Sequence, residues 1–334
     1  MTIDREVGSI FPTFSIILET ENLTNADIRG LERSLNCLAR QTPAPTNANE
    51  VFLIDSGDTP RELLKILCQK FDWLQVLTVR PGTTYYQAKM VGAEQATGEV
   101  IVYYDSDCLY NDNWLSLILQ PFTLGNEIQI VAGETMTLGR GPYGTAMSLV
   151  YIFPQFTHET ELTTTRHYFL NNVAFRRDLL LRHPIPTDLP LYRGNCVVHA
   201  HDLTHQGYTI WKQPLAKTLH APPNGFSHFL WRFLLIGYDY YWQKEILRDR
   251  YTPARSARKA PSKRVKVPGA ESKLGVFRDR VQKMLINNPR HMLYLPLALP
   301  ITLVAALLIY VGYLMTQMNH KFLLTTYNQI LGEA

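Results

Sequence analysis

The sequence is poor in charge and has few long apolar runs, and each shortage excludes a class of protein. Only 19% of the 334 residues are charged whereas 46% are hydrophobic, which excludes a disordered chain, a coiled coil and collagen. A single stretch is long and apolar enough to cross a bilayer, so a polytopic membrane protein is excluded too. With no internal repeat, this length predicts one large domain with an appendage.

Cysteine is also scarce. Cys37, Cys68, Cys108 and Cys196 lie far apart and match neither a zinc spacing nor a disulfide framework, so we expect reduced thiols in a cytosolic domain. Residues 1–12 lack the apolar core of a signal peptide. We therefore expect that the enzyme-sized part of the chain is not exported.

Positive charge is concentrated in one block. Residues 253–290 contain eleven Lys or Arg against Glu271 and Asp279, a local balance of +9 within a total of +4. Residues 1–252 therefore sum to −5 and residues 291–334 to zero. Such a block favours an anionic membrane surface or nucleic acid as partner.

The segment after the basic block favours the membrane. Residues 292–315, MLYLPLALPITLVAALLIYVGYLM, contain no charged side chain. A helix of this length measures about 36 Å, enough for a hydrocarbon core of about 30 Å. We predict a transmembrane helix over 291–316; a buried core helix is the alternative, which Pro296 and Pro300 keep open. The positive-inside rule then predicts a single pass in the cell (inner) membrane, with the large N-terminal part cytoplasmic and a short tail, 317–334, outside.

Apolar residues at helical spacing within 271–286 alternate with basic residues on the other faces, as in a helix lying on anionic lipid. The aperiodic stretch 253–268 is typical of a solvated linker. We therefore predict a basic linker and membrane-surface helix over 253–290, and no nucleic acid as partner.

In the first half of the chain, short apolar runs alternate with helical patterns. This alternation predicts an α/β fold with a doubly wound, mostly parallel sheet. The predicted strands are residues 14–18, 51–54, 74–79, 100–104 and 128–132, and the predicted helices are residues 26–40, 60–71, 86–96 and 114–120.

Acidic residues follow the predicted strands, where ligands bind in such sheets. Glu19 follows the first strand, Asp55 the second, and Asp105 with Asp107 the fourth. Two carboxylates two residues apart after a buried strand suit a divalent cation that neutralises a diphosphate. The alternative is that these aspartates only stabilise turns.

Several motifs together resemble a known family. They are FSIILETENL from residue 14, Ile54-Asp55-Ser56-Gly57, YQAKMV from residue 86, Ala96-Thr97-Gly98-Glu99 and Asp105-Ser106-Asp107, then VAGET from residue 131, NNVAFRR from residue 171, Gly207-Tyr208, and Pro214, Ala216 and His220. In order and spacing they resemble a membrane-anchored bacterial family 2 glycosyltransferase with the A-type nucleotide-sugar fold. The resemblance covers residues 14–223. It implies a catalytic domain over 1–225, with a nucleotide-sugar half (about 14–135) and an acceptor half (about 136–225).

The resemblance also implies roles for single residues. Glu19 and Asp55 would line the nucleoside pocket, and Lys89 would lie near the nucleotide, where the family usually has Arg. Asp105 would face the ribose and the metal, Asp107 would ligate Mg²⁺ or Mn²⁺, and His220 would complete the metal site. A structural role is the alternative for His220. The partners implied are a nucleotide-diphosphate sugar and a glycan or lipid-linked acceptor.

The chain departs from the family pattern where the family has its general base. Inverting members carry an acidic residue in the stretch that corresponds to residues 192–196, which here has no carboxylate. We expect Asp188 to serve instead, because a loop residue can reach a cleft; Asp202, Glu134 and His199 are the other candidates. The predicted inverting outcome depends on this base.

The Gln-x-x-Arg-Trp motif of processive synthases is absent, which predicts single additions. Trp231-Arg232 occupies a similar region, but the aromatic residues around it favour an interfacial helix over 226–252.

Two other functions are open to this sequence. Residues 139–144 match the dinucleotide fingerprint G-x-G-x-x-G, but they do not open the first βαβ unit, which argues against a nicotinamide-dependent oxidoreductase. A membrane-tethered nucleotide-sugar-binding protein without catalysis is the second alternative. Donor hydrolysis distinguishes it from a transferase.

Overall fold

The structure is a computed structural model that describes residues 11–20, 28–57, 59–251 and 273–331. Residues 21–23 of the first motif, the stretch 253–268 and the start of the predicted surface helix lie outside these ranges. The chain forms two compact units. Unit 1 comprises Met1–Thr135, Thr157–Asp188 and His199–His220, and unit 2 comprises Met136–Phe156, Leu189–Val198 and Ala221–Ala334.

Unit 1 contains a parallel sheet built by the first four strands. They are β1 (Phe14–Glu19), β2 (Val51–Asp55), β3 (Leu74–Thr78) and β4 (Val100–Tyr103), in the order β3-β2-β1-β4. The intervening helices are α1 (Ile28–Leu38), α2 (Arg61–Lys70) and α3 (Tyr85–Gln95). Thr84 and Gln87 form a capping box that fixes where α3 begins. All these strands and helices were predicted to within two residues.

The later strands of the sheet are joined by antiparallel pairs. β8 (Val173–Arg176) pairs antiparallel with β4 and β6 (Ile130–Thr137), and β9 (Ile210–His220) pairs antiparallel with β5 (Cys108–Tyr110) and β7 (Thr163–Thr165). The helices here are α4 (Trp114–Leu119), α6 (Arg177–Arg182) and α7 (Asn195–His205). The sheet is therefore mixed, with parallel pairing only among β1 to β4. The sequence did not show the antiparallel part, because apolar periodicity does not encode strand direction.

Aromatic packing fixes the chain around the end of β4. The rings of Tyr104 and Tyr110 stack at 4.0 Å, and Trp114 lies 4.3 Å from Tyr110. Tyr104 donates a hydrogen bond to the carbonyl oxygen of Ser34 and Trp114 donates to Asn172. These bonds satisfy the polar atoms of buried rings and so hold residues 105–107 in place.

Unit 2 is helical. It contains α5 (Gly141–Val150), α8 (Gly225–Tyr251), α9 (Lys273–Asn287), α10 (His291–Met318) and α11 (Phe322–Leu331). Residues 233–239 of α8 are buried within this unit, so its aromatic residues serve core packing and not the predicted interface alone. Among the described residues, α10 is the one helix long and apolar enough to cross a membrane.

Candidate functional site

Two buried carboxylates end the neighbouring strands β1 and β2. Glu19 is the last residue of β1 and Asp55 the last of β2, and both are almost completely buried. Because the strands are parallel, with Glu19 opposite Ile54, both acids lie at the same edge of the sheet. The hydroxyl of Thr20 donates a hydrogen bond to Oδ1 of Asp55 over 3.1 Å. The structure thus places both predicted residues at the edge where parallel sheets bind ligands.

A third carboxylate, Asp105, follows β4 and is held by a buried lysine. Nζ of Lys89, on α3, lies 2.6 Å from Oδ1 of Asp105 and donates to the carbonyl oxygens of Ile17 and Tyr104 as well. The hydroxyl of Tyr85 bonds the same carboxylate at 2.9 Å. The side chain of Lys89 is 0% exposed and that of Asp105 is 7% exposed.

This arrangement differs from the predicted contact between Lys89 and the nucleotide. An ammonium group has three donors, and here three acceptors inside the protein receive them. Lys89 therefore holds the carboxylate of Asp105 in position from within the protein core. Tyr85 was not predicted, although it precedes Lys89 by four residues and so shares its helix face.

Asp107 and His220 meet across a short antiparallel pair. β5 pairs with β9 so that Cys108 lies opposite His220, which brings Nε2 of His220 to 3.2 Å from Oδ2 of Asp107. One ligand atom each of Asp107, Cys108 and His220 lies within 4.8 Å of the others. The side chains of Asp107 and His220 are 25% and 14% exposed, so the pair is accessible. A carboxylate oxygen and an imidazole nitrogen at this separation suit a divalent cation.

The Cys108 thiol contributes differently to this cluster. Burial raises its pKa well above the ordinary value, and the negative charges of Asp107 and Asp105 raise it further. Because only the thiolate is a good metal ligand, the chemistry of the cluster rests on Asp107 and His220. Asp105 was predicted as a metal ligand as well, but it is not a member of this cluster, and its carboxylate is bound by Lys89 and Tyr85.

The candidates for the general base differ in their surroundings. Asp188 lies in the loop between α6 and α7 and is exposed, whereas Asp202 lies on α7 and is partly buried. Glu134 is buried, accepts hydrogen bonds from the backbone N–H and hydroxyl of Thr157, and lies 3.6 Å from Lys212. Glu134 therefore holds two segments of unit 1 together.

His199 is a structural histidine. Its Nε2 lies 2.9 Å from the carbonyl oxygen of His183, so this nitrogen carries the proton, and its Nδ1 accepts from the hydroxyl of Tyr168 at 2.6 Å. Burial lowers the pKa of His199 to about 4. The ring is therefore neutral and fully hydrogen-bonded.

The G-x-G-x-x-G match is a packing feature. Gly141 has a φ of 65°, and a Cβ on Gly144 would lie 2.4 Å from backbone atoms of Gly139. The preceding strand, β6, pairs antiparallel with β8, whereas the dinucleotide fingerprint needs a parallel βαβ unit. The structure thus offers no support for a nicotinamide site here.

Comparison with known proteins identifies a family for part of the chain. Residues 24–182 match the family described as Glycosyl transferase family 2. N-acetylgalactosaminyltransferase 6 of Drosophila melanogaster is 28% identical over 130 residues, 38% of this chain and 19% of that protein. Glycosyltransferase AglE of Haloferax volcanii is 24% identical over 210 residues, 60% of this chain and 64% of AglE. The chain thus matches less than two thirds of the length of either relative.

Two solved structures share the fold. One is the crystal structure of GalNAc-T7 with UDP, GalNAc and Mn²⁺, with a TM-score of 0.52, 16% identity, and coverage of 64% of this chain and 44% of that one. The other is the mannosyltransferase PcManGT from Pyrobaculum calidifontis in complex with GDP-Man and Mn²⁺, with a TM-score of 0.51, 17% identity, and coverage of 96% and 85%. The predicted A-type fold is confirmed. The predicted family 2 domain is confirmed for residues 24–182.

Proposed function

We propose that this chain transfers a sugar from a nucleotide-diphosphate sugar to a glycan or lipid-linked acceptor at the cytoplasmic face of a membrane, one addition at a time and with inversion. The observation that carries the proposal is the convergence of Asp107 and His220 across β5 and β9. Asp105, which forms a buried ion pair with Lys89, lies two residues before Asp107.

Asp107 and His220 would hold the cation, Mg²⁺ or Mn²⁺. Held by these two residues, a cation would supply the positive charge that stabilises a diphosphate leaving group. The donor set fits, because an accessible carboxylate and an imidazole leave room for phosphate oxygens as further ligands. The related structures with Mn²⁺ and a sugar nucleotide or its parts support this role.

The nucleoside would bind beside this pair. Glu19 and Asp55, at the ends of β1 and β2, supply acceptors for the N–H and hydroxyl donors of the base and ribose. Asp105 would accept from the ribose, and Lys89 would hold its carboxylate in place.

Asp188 is the proposed general base. As the acceptor oxygen bonds to the anomeric carbon, the bond from that carbon to the diphosphate breaks, and the hydroxyl proton must pass to a base. The exposed loop position of Asp188 supports this role. Glu134 is less suitable as the base because its carboxylate accepts two hydrogen bonds from Thr157, and His199 is less suitable because its neutral ring is buried.

The test uses the full chain with a panel of nucleotide-diphosphate sugars and Mn²⁺. Asp107→Ala should abolish release of the nucleoside diphosphate, because the diphosphate charge is left uncompensated. Asp112→Ala is the matched control, since Asp112 is exposed in the turn after β5 and should leave turnover unchanged. Near-normal, Mn²⁺-dependent turnover in Asp107→Ala would show the metal assignment to be wrong. Tight donor binding by the unaltered chain without any turnover would instead identify a nucleotide-sugar-binding protein.

A further inference from the structure

The helix α10 buries small residues and exposes large apolar ones, the reverse of an ordinary surface helix. One side carries most of the large exposed side chains along its whole length. The buried residues are His291, Ala298, Thr302, Ala305, Gly312 and Thr316; the exposed apolar face, called here the apolar arc, comprises Leu293, Leu297, Leu303, Leu307, Tyr310 and Met318. Water does not favour such a face, so it needs an apolar occupant.

The buried side of α10 packs closely on α8 within unit 2. A Cβ on Gly237 of α8 would lie 2.0 Å from the carbonyl oxygen of Ile309, and one on Gly312 would lie 2.1 Å from that of Leu234. Such glycine contacts let two helix backbones approach directly. The apolar arc therefore belongs to a packed bundle and not to a lone helix surrounded by lipid.

Contacts within unit 2 indicate that α8 runs in the same direction as α10. Near the start, Phe229 packs on Tyr143 of α5, a helix whose Thr145 bonds to His291. Near the end, Nζ of Lys244 lies 3.0 Å from the hydroxyl of Tyr313. Tyr313 follows His291 by 22 residues, about 33 Å along a helix.

This geometry argues against a bilayer crossing by α10. If α10 crossed, the charged end of α8 beside Tyr313 would be on the far side, and the chain would have to return before α10 begins. The return would have to use residues 252–272, with six Lys or Arg and one Glu, or α9, with 15 residues. Neither is long and apolar enough to cross.

We propose that α10 lies in the plane of the membrane, with its apolar arc inserted among the acyl chains of one leaflet and the rest of unit 2 on the same side. The predicted single pass is replaced by attachment to one face, and the C-terminus stays on the side of the N-terminus.

The charges around α10 favour lipid over a second copy of the chain as the occupant. Arg290 precedes the helix and Lys321 follows it, both exposed, and Arg278 of α9 is exposed as well. These cations match anionic headgroups at the rim of an inserted face, whereas a second copy would bring like charges together. Arg280 has a different role, because its guanidinium donates to the carbonyl oxygens of Leu149 and Tyr151 at the end of α5.

Sidedness tests the proposal directly. The full chain carries one epitope tag at the N-terminus and another after Ala334, and protease is added to sealed membrane vesicles. We expect both tags to be digested together or protected together. Opposite accessibility of the two tags would show that the chain crosses the membrane and would overturn the proposal.

A substitution tests the apolar arc itself. Leu303→Glu should lower the affinity of the full chain for vesicles of mixed neutral and anionic phospholipid by about tenfold, since a carboxylate replaces a lipid-facing side chain. Leu124→Glu is the matched control, because Leu124 is 66% exposed in unit 1 and Leu303 is 68% exposed in α10. It should bind vesicles like the unaltered chain.

Two outcomes of the vesicle experiment would refute the proposal. Equal vesicle binding by the two variants would show that the apolar arc does not meet lipid. A discrete oligomer without vesicle binding, dissociated by Leu303→Glu, would show that a second copy covers the arc. Because Leu303 is exposed, an unfolding curve like that of the unaltered chain should accompany the binding data.

Discussion

Replacing Lys89 by methionine removes one charge of a buried ion pair and keeps an unbranched side chain of similar length. In the unaltered chain, Nζ of Lys89 serves the carboxylate of Asp105 and the carbonyl oxygens of Ile17 and Tyr104. Lys89→Met leaves all three acceptors without this donor, while the Tyr85 hydroxyl still bonds Asp105. The carboxylate then stays buried without a cation.

The structure sets the expected loss of stability. Removing one partner of a buried pair costs about 3–5 kcal/mol, because the remaining charge keeps its desolvation penalty. Lys70→Met is the control, since Lys70 pairs with Glu32 with both side chains more than two fifths exposed. An exposed pair contributes about 0–1 kcal/mol. Lys89→Met should therefore lose several times more stability than Lys70→Met.

The assay is urea unfolding followed by tryptophan fluorescence, with Trp114 buried in the same unit. A double-mutant cycle with Asp105→Asn isolates the pair, and the double variant should be more stable than the sum of the single losses predicts by at least about 1 kcal/mol. Losses that add within about 0.5 kcal/mol would refute the coupling. Unchanged stability in Lys89→Met with loss of donor binding would instead support the predicted position of Lys89 near the nucleotide.

Three further outcomes follow from the structure. Burial lowers the pKa of His199 to about 4, below the value of about 6.5 expected in the unfolded chain, so the folded protein favours the neutral ring. The free energy of unfolding should therefore fall by about 3 kcal/mol as the pH drops from 6.5 towards 4. In unfolding measured as a function of pH, His199→Gln should flatten this loss. Asp188→Asn should cut turnover by about 10²–10⁴ with donor affinity unchanged, whereas Asp202→Asn should stay within twofold; loss in Asp202→Asn alone would move the base to α7. Gly237→Ala should destabilise unit 2 by about 1–3 kcal/mol in thermal unfolding, and Ala306→Leu, on the exposed side of α10, by much less; equal losses would contradict the close helix contact.

Local signals in the sequence determined the elements of unit 1 and the acids at its strand ends. The apolar runs before Glu19 and Asp55 predicted β1 and β2, and their order predicted the sheet edge that carries both carboxylates. Spacing of two residues singled out Asp105 and Asp107. Each of these inferences uses periodicity or neighbours in the chain, which a sequence shows directly.

Tertiary structure alone decided which of these residues meet and what each one does. Asp107 and His220 are 113 residues apart, and the pairing of β5 with β9 brings them together. β5 has only three residues, too few for a periodic signal in the sequence. Lys89 was assigned to the nucleotide, and only packing shows that its ammonium group is enclosed behind Asp105. The apolar composition of α10 suits both a helix that crosses a membrane and one that lies in its plane. Only the contact of Lys244 with Tyr313 shows that the charged end of α8 lies beside it. The physical reason is the same in each case: partners and burial depend on distant segments, which local sequence does not specify.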